Sequence, residues 1–139
     1  MIKAMAHICV STKDLDKTEE FYCSCLGLTK KFSFIRDGKV FGFYLQINKN
    51  NFIEIFHADS VSSDKDPVIK HFCLEVDDID KAIEKIRSCG VTISDKKTGS
   101  DNSWQAWLTD PNGINIELHQ YTDKSSQLTG NDCIVKEKW

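Results

Sequence analysis

Short apolar stretches alternate with polar turns along the chain, and their period switches between that of a strand and that of a helix. Met5 to Val10 reads as a strand. Asp14 stands where an N-cap belongs, ahead of Leu15, Thr18, Tyr22, Cys25 and Leu26, which share one helical face through about Leu26. Gly27 follows as a left-handed stop. Three strands come next, at about 29–36, 40–47 and 51–57, the first two joined by the tight-turn pair Asp37-Gly38. The same order then returns. A strand begins at His71, Asp78 caps a helix whose buried stripe is Ile79, Ala82, Ile83 and Ile86, and Gly90 ends it. Three more strands follow, the last two joined at Asp110-Pro111-Asn112-Gly113. Each half is therefore βαβββ.

The two halves are copies. Residues 7–25, HICVSTKDLDKTEEFYCSC, laid over residues 71–89, HFCLEVDDIDKAIEKIRSC, agree at eight of nineteen positions, among them His7/His71, Cys9/Cys73 and Asp14/Asp78. With one residue dropped, Gly27 falls on Gly90, Tyr44-Leu45 on Trp107-Leu108, and Ile53-Glu54-Ile55 on Ile116-Glu117-Leu118. The 139 residues thus form one α+β domain: module 1 at about 1–57, a polar linker at 58–68 containing Asp66-Pro67, module 2 at about 69–120, and a tail at 121–139.

Composition narrows the function. A net charge of −3 offers no footprint for nucleic acid or an anionic membrane, and no apolar run is long enough to span a bilayer. Met1 to Val10 carries one lysine and no long apolar stretch, so it reads as the first strand and not as a secretory leader. The six cysteines, Cys9, Cys23, Cys25, Cys73, Cys89 and Cys133, are then expected to be free thiols in a reducing cytoplasm, mostly on apolar faces.

Candidate chemistry sits at matched places. His7 and His71 head the two modules, and Glu54 and Glu117 lie in their last strands, 47 and 46 residues further on. Both acids stand in apolar strands, FIEIF and INIEL. A carboxylate there is costly to bury unless paired or metal-bound. Alternation puts Ile53 and Ile55 on one face and Phe52, Glu54 and Phe56 on the other. Two imidazoles and two carboxylates suit a borderline divalent ion such as nickel, zinc, cobalt, manganese or iron(II). His119 shares the face of Glu117, whereas His57 has the opposite parity to Glu54. Cys9 and Cys73 share faces with the two histidines. Trp104, Trp107 and Tyr44 are candidates to wall a pocket.

The His7 strand, the segment KTEEFYCSCLGL and the ending DPNGINIEL together resemble the vicinal oxygen chelate superfamily, also called the glyoxalase, bleomycin-resistance and dioxygenase fold, over about residues 3–120. That resemblance implies two βαβββ modules forming an open, eight-stranded, barrel-like cup, and a small-molecule substrate in a homodimer. Within the superfamily the set resembles glyoxalase I, lactoylglutathione lyase. It implies His7, Glu54, His71 and Glu117 as ligands of one divalent metal per site, nickel, cobalt or zinc before manganese or iron. Glu117, and after it Glu54, would be the catalytic base, moving a proton through a metal-bound enediolate of a small α-hydroxy carbonyl or hemithioacetal. Phe56, Trp107 and His119 are the candidate substrate contacts. The pattern departs from glyoxalase I at Ser11 and Ala58, where that enzyme usually has the arginine and asparagine that serve glutathione; only Lys96 and Lys97 loosely match its basic loop. The alternatives are a metal-dependent epimerase, an iron(II) dioxygenase, and a small-molecule binding or resistance protein of the same superfamily.

Overall fold

A computed structural model describes residues 1–61 and 67–135. Asp66 of the linker and Trp139 of the tail therefore lie outside the described residues. Two compact units appear, Met1–Lys65 with Asp110–Gly113, and Asp66–Thr109 with Ile114–Trp139. Each holds one four-stranded sheet.

In the first unit the strands are β1 (His7–Thr12), β2 (Thr29–Arg36), β3 (Lys39–Gln46) and β4 (Phe52–His57), in the order β1-β4-β3-β2. In the second they are β5 (Phe72–Glu75), β6 (Lys97–Thr98), β7 (Trp104–Thr109) and β8 (Asn115–Gln120), in the order β5-β8-β7-β6. First and last strands pair in parallel in both units, and the other pairings are antiparallel. The mixed α+β class and the repeated topology agree with the sequence reading.

Boundaries moved where the partner strand decided them. β1 starts at His7, not Met5, because its ladder begins where the Phe52 N–H meets the Ala6 carbonyl. It runs on to Thr12, whose carbonyl accepts from Ala58 N–H at 2.8 Å. β6 is only two residues long, since a charged and polar run, Asp95 to Ser103, replaces the alternating pattern that builds β2.

The two helices differ in a way the repeat explains. In the second unit, α2 (Ile79–Ser88) is a regular helix capped by the Asp78 carboxylate, which accepts from Lys81 N–H at 3.0 Å. In the first, α1 (Leu15–Glu19) is capped by Asp14 in the same way, then continues as a π-helical turn over Glu20–Cys25. Leu26 N–H reaches back to the Phe21 carbonyl, an i to i−5 bond. Module 1 has one more residue between its histidine and its glycine stop, and a π turn is how a helix absorbs one extra residue. The wider turn buries Phe21 beside Tyr22 and Cys25; α1 itself was not expected to break register there.

The helix-facing side of each sheet is core. Val10, Phe43, Leu45, Ile53 and Ile55 are buried in the first unit, and Ile83, Ile86, Ala106, Leu108, Ile116 and Leu118 in the second. Residues Asp110–Gly113 belong to the first unit, where the Tyr22 hydroxyl donates to the buried Asp110 carboxylate at 2.9 Å. Part of the tail is fixed to its own unit. α3 (Ser126–Thr129) follows the fully buried Ser125, whose hydroxyl accepts from Ser103 at 2.9 Å. No disulfide joins the six cysteines; Cys25 is core and Cys23 half-buried, but Cys9, Cys73, Cys89 and Cys133 are exposed, which corrects the expectation that most would act as small hydrophobes on apolar faces.

Candidate functional site

The sheet face away from the core carries the candidate chemistry in both units. In the first, parallel register sets His7 opposite Phe52, Cys9 opposite Glu54 and Ser11 opposite Phe56. Alternation then puts His7, Cys9 and Glu54 on one face, with Ile53 and Ile55 fully buried behind. His7 Nε2 lies 3.8 Å from Glu54 Oε2, their side chains 41 and 19 per cent exposed. The other ring nitrogen, Nδ1, is 2.9 Å from the Tyr44 hydroxyl. Because a phenol both donates and accepts, Tyr44 holds the ring in place for either tautomer and leaves Nε2 turned to the acid.

The second unit repeats the pair in a closer setting. His71 Nε2 lies 3.3 Å from Glu117 Oε2, with side chains 22 and 9 per cent exposed. Glu117 has a second imidazole at hand: His119 Nε2 is 3.5 Å from Oε1 and also 3.5 Å from Asp101 Oδ2. Gln105 approaches the same His119 nitrogen at 3.4 Å. Burial alone would raise the Asp101 carboxyl, but hydrogen bonds from Gln127 and Ser103, with the nearby His119, outweigh it and hold it low. Trp107 takes the place of Tyr44 and meets His71 edge to face at 4.8 Å.

Beside each acid stands a thiol held in its protonated form. Burial, then a hydrogen bond and the charge of Glu54, push Cys9 up. Burial, then the charge and hydrogen bond of Glu117, push Cys73 up to about 12. Imidazole nitrogen and carboxylate oxygen are the donors that the two pairs present. That donor set fits a borderline divalent ion. The structure brings His7 to Glu54 and His71 to Glu117; among the described residues no three His, Cys, Asp or Glu side chains gather in metal-holding geometry.

The remaining candidates separate by parity. Phe56 and Trp107 lie on the faces of Glu54 and Glu117, and His119 is buried beside Glu117. Trp104 pairs with Gln120 and so faces the other way. It does wall a depression, of about 330 Å³, with Thr98, Asn102, Thr122, Asp123 and Lys124, but on the side of the sheet away from Glu117. His57 is exposed at the end of β4. Sequence reasoning missed Asp101 and Gln105, and it missed the rings of Phe32, Phe34 and Phe41. Phe32 and Phe34 show the two-residue alternation of a strand. Phe41 joins them through a bulge, between the pairs Phe34–Gly42 and Ile35–Val40, that no alternation announces.

A family model described as the Glyoxalase/Bleomycin resistance protein/Dioxygenase superfamily matches residues 4–118. The chain belongs to that superfamily. It is 25% identical over 125 residues to the uncharacterized protein YaeR of Escherichia coli (strain K12), covering 86% of this chain and 97% of that protein. The fold is shared with a glyoxalase family protein from Enterococcus faecalis, at a TM-score of 0.72 and 21% identity over 84% of this chain and 97% of that one. It is shared as well with TnmS3, an antibiotic binding protein from Streptomyces sp. CB03234, at a TM-score of 0.67 and 19% identity over 87% and 98% of the two chains. Among the described residues no helix is long and apolar enough to cross a membrane.

Proposed function

We propose that His7, Glu54, His71 and Glu117 together hold one divalent metal ion, nickel, cobalt or zinc before manganese or iron, and that the chain is a lyase or isomerase moving a proton on a small α-hydroxy carbonyl. The observation that carries this reading is the doubled pair: in each unit an imidazole at the start of the first strand (His7) or just before it (His71) meets a carboxylate of the parallel last strand, at repeat-equivalent positions. When bound, the ion supplies Lewis acidity to two neighbouring substrate oxygens and so acidifies the carbon-bound proton beside them.

The protein's own groups divide the remaining work. Glu117 is the first choice to take and return the proton. It is the more enclosed acid, and imidazoles on either side lie within reach of its two oxygens. Asp101 and Gln105 fix His119 and through it the carboxylate. Glu54, more open, is the second choice. Tyr44 orients His7. Ser11 offers no cation for a glutathione carboxylate, so a hydroxy carbonyl without glutathione is favoured.

A second reading, a binding protein without turnover, draws on the aromatic face around Glu54 and on the antibiotic binding stated for TnmS3. Protein reconstituted with nickel or with zinc is assayed with methylglyoxal plus glutathione for thioester formation, and with hydroxyacetone for uptake of solvent deuterium. Metal-dependent exchange supports the proton-transfer reading, and thioester formation would restore glutathione. Metal bound with neither activity would favour the binding protein.

A further inference from the structure

Aromatic rings crowd the face around His7 and Glu54, beside Cys9 and Ser11, and the Arg36 guanidinium lies over the Phe41 ring at 4.2 Å. Phe32 stacks on Tyr44 at 4.8 Å and 16°, and Phe41 on Phe56 at 5.5 Å and 13°. Phe34 joins the two stacks, 5.2 Å from Phe32 and 4.8 Å from Phe56, and Phe52 extends them at 5.2 Å from Tyr44. These rings are only partly covered, and Phe32 is 46 per cent exposed. Gly42 makes the shelf possible: a side chain there would meet the Phe56 ring at 2.5 Å, so the ring lies flat over bare backbone.

The fold does not require this. Where the first unit has Gly42, Phe52 and Phe56, the second has Gln105, Asn115 and His119 on the same face of the same sheet. Ile8, Val10, Leu45, Ile53 and Ile55 lie behind, on the core face, and the exposed Ile35 and Val40 pair with each other beyond the bulge, so the strand positions flanking Glu54 on its own face are the rings of Tyr44, Phe52 and Phe56. A surface meant only for burial would use aliphatic side chains as well; open ring faces select flat, unsaturated partners. The wall is also tied to the chemistry, since Tyr44 stacks on Phe32 with its ring and bonds His7 with its hydroxyl.

We infer that Phe32, Phe34, Phe41, Tyr44, Phe52 and Phe56 form the wall that recognises the ligand, and that the ligand carries a flat aryl group on the carbon chain whose oxygens lie at His7 and Glu54. The inference deepens the proposed function and rests on its oxygen-chelating site.

A matched pair of probes isolates the ring. Benzohydroxamate and acetohydroxamate chelate alike and differ in a phenyl against a methyl group. With nickel-loaded protein, calorimetry is expected to show benzohydroxamate binding tighter by about tenfold. Phe34→Leu and the exposed Phe32→Leu keep apolar volume and should erase that preference while acetohydroxamate binding stays. Equal binding of both probes to nickel-loaded wild type overturns the aryl inference and leaves the chelate reading standing. Loss of dimerisation in the variants with the preference intact also overturns it, by making the face an interface between copies. If wild type retains no nickel, the chelate reading fails instead. In that event 2-naphthol bound by wild type and not by Phe34→Leu sustains the wall, and 2-naphthol bound by neither overturns it.

Discussion

The two units share a strand order, a pair of N-caps and a His, Cys, Glu trio, yet they surround that trio with opposite chemistry. In the first, His7 and Glu54 stand among half-covered rings, with a tyrosine hydroxyl orienting the imidazole. In the second, His71 and Glu117 are more enclosed, and His119, Asp101 and Gln105 form a polar network behind the acid. Duplication keeps what the backbone register dictates, which is where the His–Glu pair falls. It leaves the flanking positions free to diverge. Under the proposed function that difference becomes a division of labour: the open aromatic surroundings of Glu54 serve to grip a ligand, and the enclosed polar surroundings of Glu117 serve to hold and move a proton.

The largest expected effect falls on that division. Glu117→Gln should lower deuterium exchange into hydroxyacetone by about a thousandfold, in the range of a lost general base, and Glu54→Gln by clearly less. Equal losses would remove the asymmetry. Next comes the helix that makes the first unit different. Tyr22→Phe takes the phenolic donor from the buried Asp110 carboxylate and should cost about 1–3 kcal/mol in denaturant unfolding. Burial, then the Asp110 charge and hydrogen bond, push the Tyr22 phenol far above its ordinary range. Its contribution is thus full below the ordinary tyrosine range near pH 10. Above that the unfolded chain releases a proton the native one keeps, so stability should fall by about 1.4 kcal/mol per pH unit. Tyr22→Phe should remove that part of the slope.

Smaller effects sharpen the comparison further. Tyr44→Phe removes the hydroxyl that orients His7 and should weaken nickel binding about tenfold by calorimetry. Asp14→Ala and Asp78→Ala should each lower the urea midpoint by a similar, small amount, because both carboxylates accept from the N–H three residues on. A large difference between the two caps would mean that the π turn changes the start of the helix as well as its end.

What was legible in the sequence is what repeats or alternates. Period two assigned Glu54 to the face opposite Ile53 and Ile55, and the repeat carried that assignment to Glu117. The π turn was present as the one-residue mismatch between the modules, but an offset in an alignment does not say whether a loop or a helix absorbs it. Phe41 reaches the aromatic wall through a bulge, which breaks alternation at that point. Asp101 comes from a loop whose next residue, Asn102, has a positive φ of 64°, and loop geometry of that kind leaves no period. The docking of the tail depends on Ser103 and Ser125 hydroxyls, so no hydrophobic pattern marks it.

The central claim is that two similar His–Glu pairs are halves of one metal site. Nickel content per chain after exhaustive dialysis, by mass spectrometry, tests it in wild type, His7→Ala and His71→Ala. The account predicts one nickel per chain in wild type and almost none in either variant. Two per chain in wild type, or full retention in either variant, would contradict it, because each pair would then be acting alone.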